Sequence, residues 1–448
     1  MRRILHTFFI LYLAMLPANA EQLNFNDFLS TALSNSYKVK IAEINKNITQ
    51  RGVKEARAAY FPTISAFATT ERYNDLTNGG APLTAVGNEI FLNRDYYQDM
   101  AALGLSYNLF DFGVRKRQLD IAKADNKQKE ILLKKNTRDL KLDIVELYAQ
   151  TLALYKQSQI KNDELNLRDE LREINKKLRL AGEISEIDVV DSEIKASETK
   201  SELDEIKNRF AKKLTEISFY TNKAYDIKDI ELTNFPLDVN NIPTEVDPFV
   251  KLSAQVNNLI VENSVEAKVY DLEILKKQKE YEIQKKYNFP KIRFDTRYNL
   301  YGSDTNNFFD GIGDIRQRSL SFRLSTSFVL FDGFKNINTV AKSKMEVEKL
   351  KVEKEEQLAE LRKKYEQVQL DSKNALIQSE NNEKTLALVD KNLQMLENLN
   401  ANGIIEKSAC IKKQLELLDK KMKLEQTQIN IFVTQYKLQV LSDEKVEL

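Results

Sequence analysis

Four short stretches of alternating polarity, set in a long chain with an otherwise polar, helical pattern, limit the fold more than any other feature. In "NFPKIRFDTRYNLY" (288–301), Ile292, Phe294, Thr296, Tyr298 and Leu300 form one series. Lys291, Arg293, Asp295, Arg297 and Asn299 form the other. A period of two marks a strand with one apolar and one polar face. Across 318–331, Leu320, Phe322, Leu324, Thr326, Phe328 and Leu330 alternate with Ser319, Ser321, Arg323, Ser325 and Ser327. Across 99–110, Ala101, Leu103, Leu105, Tyr107 and Leu109 alternate with Ala102, Gly104, Ser106 and Asn108.

The fourth stretch, 63–73, alternates poorly and is assigned by an internal repeat. Phe61-Pro62 corresponds to Phe289-Pro290, Leu109-Phe110-Asp111 to Leu330-Phe331-Asp332, and Gly182 to Gly403. The landmarks recur in the same order and define a first repeat at 21–222 and a second at 250–442. Each repeat predicts a helix stopped at a proline, two strands, a long helix, a glycine break and a last helix. The helices are placed at 37–60, 113–180 and 186–220, then 250–288, 335–402 and 405–440, with a linker at 223–249 and a tail at 443–448. The loop 74–98 is long and rich in Gly and Asn; its counterpart, 302–317, is shorter.

Strands of about 10–12 residues match the length of a tilted membrane-spanning strand. Four cannot close a barrel, for which about eight are needed, and an open edge in lipid leaves backbone groups unpaired. A barrel must therefore be shared between chains. Its apolar series would meet lipid, and Lys291, Arg293, Asp295, Arg297 and Arg323 would line a water-filled lumen with a positive excess.

Between Gly113 and Leu180 there is no further Gly and no Pro, and Leu140, Ile144, Leu147, Thr151 and Leu154 recur at coiled-coil spacing. Leu358, Leu361, Tyr365 and Val368 make a similar seam in the second repeat. The expected class is mainly α with a membrane β-barrel, with four strands and long coiled-coil helices per chain in two structural repeats. The competing reading is a structural coiled-coil protein of the cell envelope without a pore.

The leader "MRRILHTFFILYLAMLPANA" (1–20) has a basic start, an apolar run and a small-x-small end. It reads as a signal peptide cleaved after Ala20, with an uncleaved anchor helix as the alternative. The chain carries 68 Lys and Arg against 67 Asp and Glu, so it has no basic excess for nucleic acid. Its mean hydropathy of −0.48 argues against a multi-span helical membrane protein. Cys410 is the only cysteine, so no internal disulfide forms. The single histidine, His6, lies in the leader. The mature chain therefore lacks any His-dependent catalytic triad or His-ligated metal centre. No catalytic residue, cofactor site or metal site is expected. "DFG" at 111–113 joins a strand to a helix, and "DGIGD" at 310–314 reads as a turn without the lysine of a phosphate loop.

Taken together, the leader, the duplicated halves, the "YFP" and "NFP" breaks, the "LFDFG" and "LFDGF" junctions and the glycine breaks "AGEISEIDV" and "NGIIEKS" resemble the TolC-type outer-membrane efflux proteins. The resemblance implies a homotrimeric α/β-barrel in the outer membrane of a Gram-negative bacterium, embedded in outer-membrane lipid, with a helical tunnel in the periplasm. It implies a passive exit duct for a tripartite efflux pump or a type I secretion system, docked to a periplasmic adaptor and an inner-membrane transporter. It places adaptor contacts at the helix turns, here Gly182, Glu183, Gly403 and Ile404. Well-known members carry an acidic pair six and nine residues after the second glycine; this chain has Ala409 and Lys412 there. The same spacing after Gly182 gives Asp188 and Asp191. The resemblance thus points to a periplasmic gate at Asp188, Asp191 and Lys412. The alternative is that the two acids serve only the start of a solvated helix.

Overall fold

The computed structural model describes residues 21–72, 83–85, 88–90, 97–227, 230–235, 261–304, 307–313 and 315–442. The leader, most of the linker, the start of the helix expected from 250, and the tail lie outside them. The chain divides into two units. One comprises Met1–Glu43, Ile131–Lys268 and Glu355–Leu448; the other comprises Ile44–Glu130 and Val269–Lys354.

The elements, in chain order, are β1 (Glu21–Leu23), α1 (Phe25–Asn35), α2 (Tyr37–Ala58), β2 (Thr63–Arg72), β3 (Leu83–Ala85), β4 (Asn88–Ile90) and β5 (Tyr97–Phe110). They continue with α3 (Val114–Ala181), α4 (Glu186–Thr221), β6 (Ile230–Leu232), α5 (Val265–Gln284), β7 (Lys291–Asp304) and α6 (Phe308–Gly313). The last are β8 (Ile315–Ser327), α7 (Lys335–Ala401) and α8 (Lys407–Ser442). No helix among the described residues is long and apolar enough to cross a membrane.

In the first unit, β1 and β6 pair in parallel, with Leu23 opposite Leu232. Asn24 caps α1 by accepting the Asp27 N–H. The apolar side of α1 then meets the heptad seam of α3. Phe25, Phe28, Leu140, Ile144, Tyr148, Phe210, Leu214 and Phe235 form one core. The periodicity of 140–151 is thus the buried face of a long helix: Leu140, Ile144, Leu147 and Thr151 are all buried. Tyr148 sits at its centre. Its hydroxyl shares its proton between the carbonyls of Leu23 (2.9 Å) and Thr233 (2.7 Å). Arg138 pairs with Glu266 at 2.6 Å, and Lys161 with Glu202 at 2.7 Å.

In the second unit, the strands form one antiparallel sheet in the order β2-β5-β7-β8. The β5–β7 pairing joins the two repeats, with Leu103 opposite Tyr298 and Ser106 opposite Asp295. Ion pairs rather than apolar seams link the helices here: Arg117–Glu282 (2.8 Å), Lys276–Asp125 (3.0 Å) and Lys354–Asp271 (2.6 Å).

Several local expectations change. The loop 74–98 contains a small hairpin, β3–β4. "DGIGD" is not a simple turn, because 308–313 is helical. The last strand runs 315–327, earlier than the 318–331 suggested by alternation, and the chain leaves the sheet before Phe328. The helix expected at 250–288 breaks at Asn263 and Ser264, and Ser264 Oγ accepts the Ala267 N–H at the start of α5. The linker contributes the strand β6.

Candidate functional site

Two features could serve transport: the two faces of the sheet and the two glycine turns between long helices.

The register places Lys291, Arg293, Asp295, Arg297 and Asn299 of β7 opposite Ser327, Ser325, Arg323, Ser321 and Ser319 of β8. Across the other edge of β7, Asp295 faces Ser106 and Arg293 faces Asn108. All five charged residues expected in the lumen therefore share one face. Polar contacts run along the same face: Arg293 Nε donates to Asn108 Oδ1 (3.3 Å) and Asn299 Nδ2 to Ser319 Oγ (3.1 Å). The opposite face carries Ile64, Leu103, Leu105, Phe294, Tyr298, Leu320, Phe322 and Leu324. Phe322 and Leu324 are 68% and 70% exposed. Among the described residues, β2 and β8 each pair on one side only, which leaves two free edges.

Where strands meet helices, the LFDFG and LFDGF motifs are turns built on an aspartate. Asp111 accepts the Gly113 N–H (3.0 Å) and the Arg115 N–H (3.1 Å), and forms an ion pair with Arg115. Asp332 accepts the Asn336 N–H at 2.9 Å. Phe112 and Gly113, like Gly333 and Phe334, have positive φ. An aromatic residue there is conformationally costly, so the turn is held by its aspartate and helix start. Aromatic rings gather at these junctions: Phe112 packs edge-on against Phe110 (4.7 Å) and Phe289 (5.0 Å), and Phe331 against Phe334 (5.3 Å).

The glycine turns are built alike. Glu183 N–H donates to Leu178 O (2.9 Å) and Gly182 N–H to Arg179 O (3.0 Å). Ile404 N–H donates to Leu399 O (3.0 Å) and Gly403 N–H to Asn400 O (2.9 Å). Both glycines have positive φ, +81° and +71°, as a helix end closed by a left-handed residue requires. Glu183 and Ile404 are exposed.

Beyond the first turn, Ser185 and Asp188 form a capping box at the start of α4. Asp188 accepts Ser185 N–H (3.0 Å) and Ser185 Oγ–H (2.6 Å). Those hydrogen bonds hold its carboxyl below the usual carboxylate range, and the charge of Lys412 adds to the effect. Lys412 thus reaches Asp188 only as a nearby charge, and Asp188 is engaged locally by its cap. Asp191 is exposed one turn further on. The "SEID" box was readable in the sequence; the approach of Lys412, more than two hundred positions away, was not.

The sequence model of the outer membrane efflux proteins matches residues 28–223, the span of the first repeat. The chain also shares its fold with solved channels. The CusC channel superposes with a TM-score of 0.74 at 14% identity, covering 93% of this chain and 92% of that one. The CmeC outer membrane channel of Campylobacter jejuni gives 0.77 at 13%, covering 93% and 85%. The outer membrane protein VceC of Vibrio cholerae gives 0.71 at 14%, covering 93% and 96%. No curated protein matches the chain by sequence. At such identities the likeness shows the α/β-barrel channel fold. The family is one of outer membrane channels, which are not enzymes.

Proposed function

We propose that the chain is the passive outer-membrane exit duct of a tripartite efflux pump or type I secretion system. The observation that carries this reading is the four-stranded sheet with one apolar face, one charged face and two free edges. In lipid those edges need partners, and other copies of the chain can supply them. A homotrimer would bring twelve strands, four from each chain, enough to close a barrel. The aromatic junctions support this placement, since membrane barrels carry aromatic girdles at their interfaces.

On this reading the leader is cleaved after export. Lys291, Arg293, Asp295, Arg297 and Arg323 wet the lumen. The turns at Gly182–Glu183 and Gly403–Ile404 dock a periplasmic adaptor that links the duct to an inner-membrane transporter. Asp188, Asp191 and Lys412 constrict the periplasmic end. Their mixed charge favours an Asp188–Lys412 pairing within each chain over a purely acidic ring.

Disulfide trapping tests the shared barrel. With Cys410 replaced by Ser, one cysteine goes to Ala66 on β2 and another to Leu320, Phe322 or Leu324 on β8. At least one pair should give an oxidant-dependent, covalent three-chain band. Only intramolecular or monomeric products across the whole scan would refute edge-to-edge closure.

A further inference from the structure

We propose that Arg293, Arg297 and Arg323 form a receptor for the oxyanion groups of cargo, phosphate or carboxylate, on the charged face of the sheet. This rests on the reading that the face lines the lumen, and it narrows the cargo of the duct to organic anions. The β7–β8 register sets the cluster. Asp295 stands directly opposite Arg323, with Arg293 opposite Ser325 and Arg297 opposite Ser321. Arg323 is thus the diagonal neighbour of both β7 arginines, a separation of about 7–8 Å that long side chains span. In the register, three arginines stand around one aspartate.

These charges are not spent on one another. Among the described residues, none of the four forms an ion pair, and Arg297 and Arg323 donate no side-chain hydrogen bond. Arg293 Nε is engaged by Asn108 Oδ1, which leaves the rest of its guanidinium free. All three arginines are exposed, whereas Asp295 is half-buried. The surroundings keep the cluster open and positive. Arg297 lies between Gly104 of β5 and Ser321 of β8, and Asp295 has Ser106 on its β5 side. Lys291 continues the same face. The other carboxylate that the register places there is Glu71 of β2, opposite Gln98, which in turn faces Ser303 near the far end of β7. That level is roughly 25 Å along the strand from Asp295.

An arginine fork matches two oxygens of a phosphate or carboxylate and takes them bidentately. Three uncommitted forks against one half-buried carboxylate select anions by charge, as rings of basic side chains do in anion pores. Copies of the chain around a closed barrel would repeat the cluster at one level of the lumen. Solvent and salt keep each contact weak. That weakness suits a duct, in which cargo must be held firmly enough to enter and loosely enough to leave.

The test is calorimetric titration of the full-length, detergent-purified protein with inorganic tripolyphosphate at low salt. Wild-type should bind it, more weakly as salt is added. Arg297→Gln with Arg323→Gln should weaken binding at least fivefold, whereas Arg51→Gln with Arg57→Gln, on α2, should leave it unchanged. Wild-type that binds no tripolyphosphate at millimolar concentration, or an Arg297→Gln, Arg323→Gln variant that binds as wild-type does, overturns the proposal. Should that double variant fail to fold, the two single variants both binding as wild-type overturn it as well. Planar-bilayer current separates the receptor from the duct. In a conducting channel, tripolyphosphate should reduce the wild-type current more than that of the double variant. Binding without any loss of current overturns the cargo assignment, and current without binding overturns the receptor while the duct stands. A protein that passes no current contradicts the duct, and the calorimetry then decides the receptor by itself.

Discussion

Tyr148→Phe separates a hydrogen bond from the packing around it. The ring is fully buried against Phe25, Phe28 and Phe235 at 5.6, 6.2 and 5.1 Å between centroids, and Phe preserves those contacts. What is lost is the hydroxyl. The Leu23 carbonyl keeps a second donor, the Thr233 N–H at 3.2 Å, whereas the Thr233 carbonyl loses the Tyr148 proton. One partly buried acceptor left unpaired costs about 1–2 kcal/mol. A second signature is alkaline. Burial pushes the Tyr148 phenol up to about 12, above the usual value near 10. The folded state therefore holds the proton more tightly than the unfolded one. That contribution is complete below about pH 10 and is lost as pH rises toward 12, amounting to about 2 kcal/mol. Denaturant unfolding of the detergent-solubilised protein, followed by far-UV circular dichroism, measures both. The mutant should be less stable at neutral pH and lose less stability between pH 10 and 12. Burial also raises Tyr155, Tyr220 and Tyr436, so both proteins retain a slope and the difference reports Tyr148. Equal stability at neutral pH together with parallel alkaline slopes would refute the reasoning.

Other outcomes follow from the same geometry. Gly182→Ala and Gly403→Ala meet nothing within 4 Å, so each should cost only the left-handed strain, about 1 kcal/mol, visible as a lower melting temperature; losses several times larger would mean the turns are packed in the assembly. Ser185→Ala removes the cap of α4 and should cost about 1 kcal/mol, with faster amide hydrogen exchange confined to its first turns. Leu324→Arg places a charge on the apolar face, where about 2–4 kcal/mol is expected at mid-membrane; the yield of membrane-inserted protein should fall, and an unchanged yield would contradict the lipid-facing assignment. Arg293→Glu with Arg297→Glu should shift the reversal potential in a salt gradient toward cation preference, and no shift would remove those side chains from the conduction path.

Legibility in the sequence tracked physical contrast. The face pattern of β7 was readable because apolar and charged residues alternate without interruption from Lys291 to Leu300. In β2, Ala66 and Ala68 are set against Ser65 and Phe67, and the repeat rather than the periodicity located the strand. β1 and β6 have three residues each and pair across two hundred positions, too short for any period to register. α6 holds two glycines in six residues, so propensity argued against a helix that its contacts with the sheet sustain. The alternation of β8 runs on through Phe328 and Leu330, but the ladder ends at Ser327, opposite Lys291, where the partner strand β7 begins. At the candidate gate, the spacing of Asp188 and Asp191 after Gly182 was legible. That Asp188 is spent on a capping box and lies near Lys412 depended on how the helices fold back.

Single-channel current from the purified, mature protein in a planar bilayer tests the central claim most directly. Discrete, long-lived conductance steps are predicted, small at rest and enlarged by Asp188→Asn with Lys412→Ala, which loosens the turn region. A folded, membrane-inserted protein that passes no current in either form would contradict an exit duct and favour a structural role in the envelope.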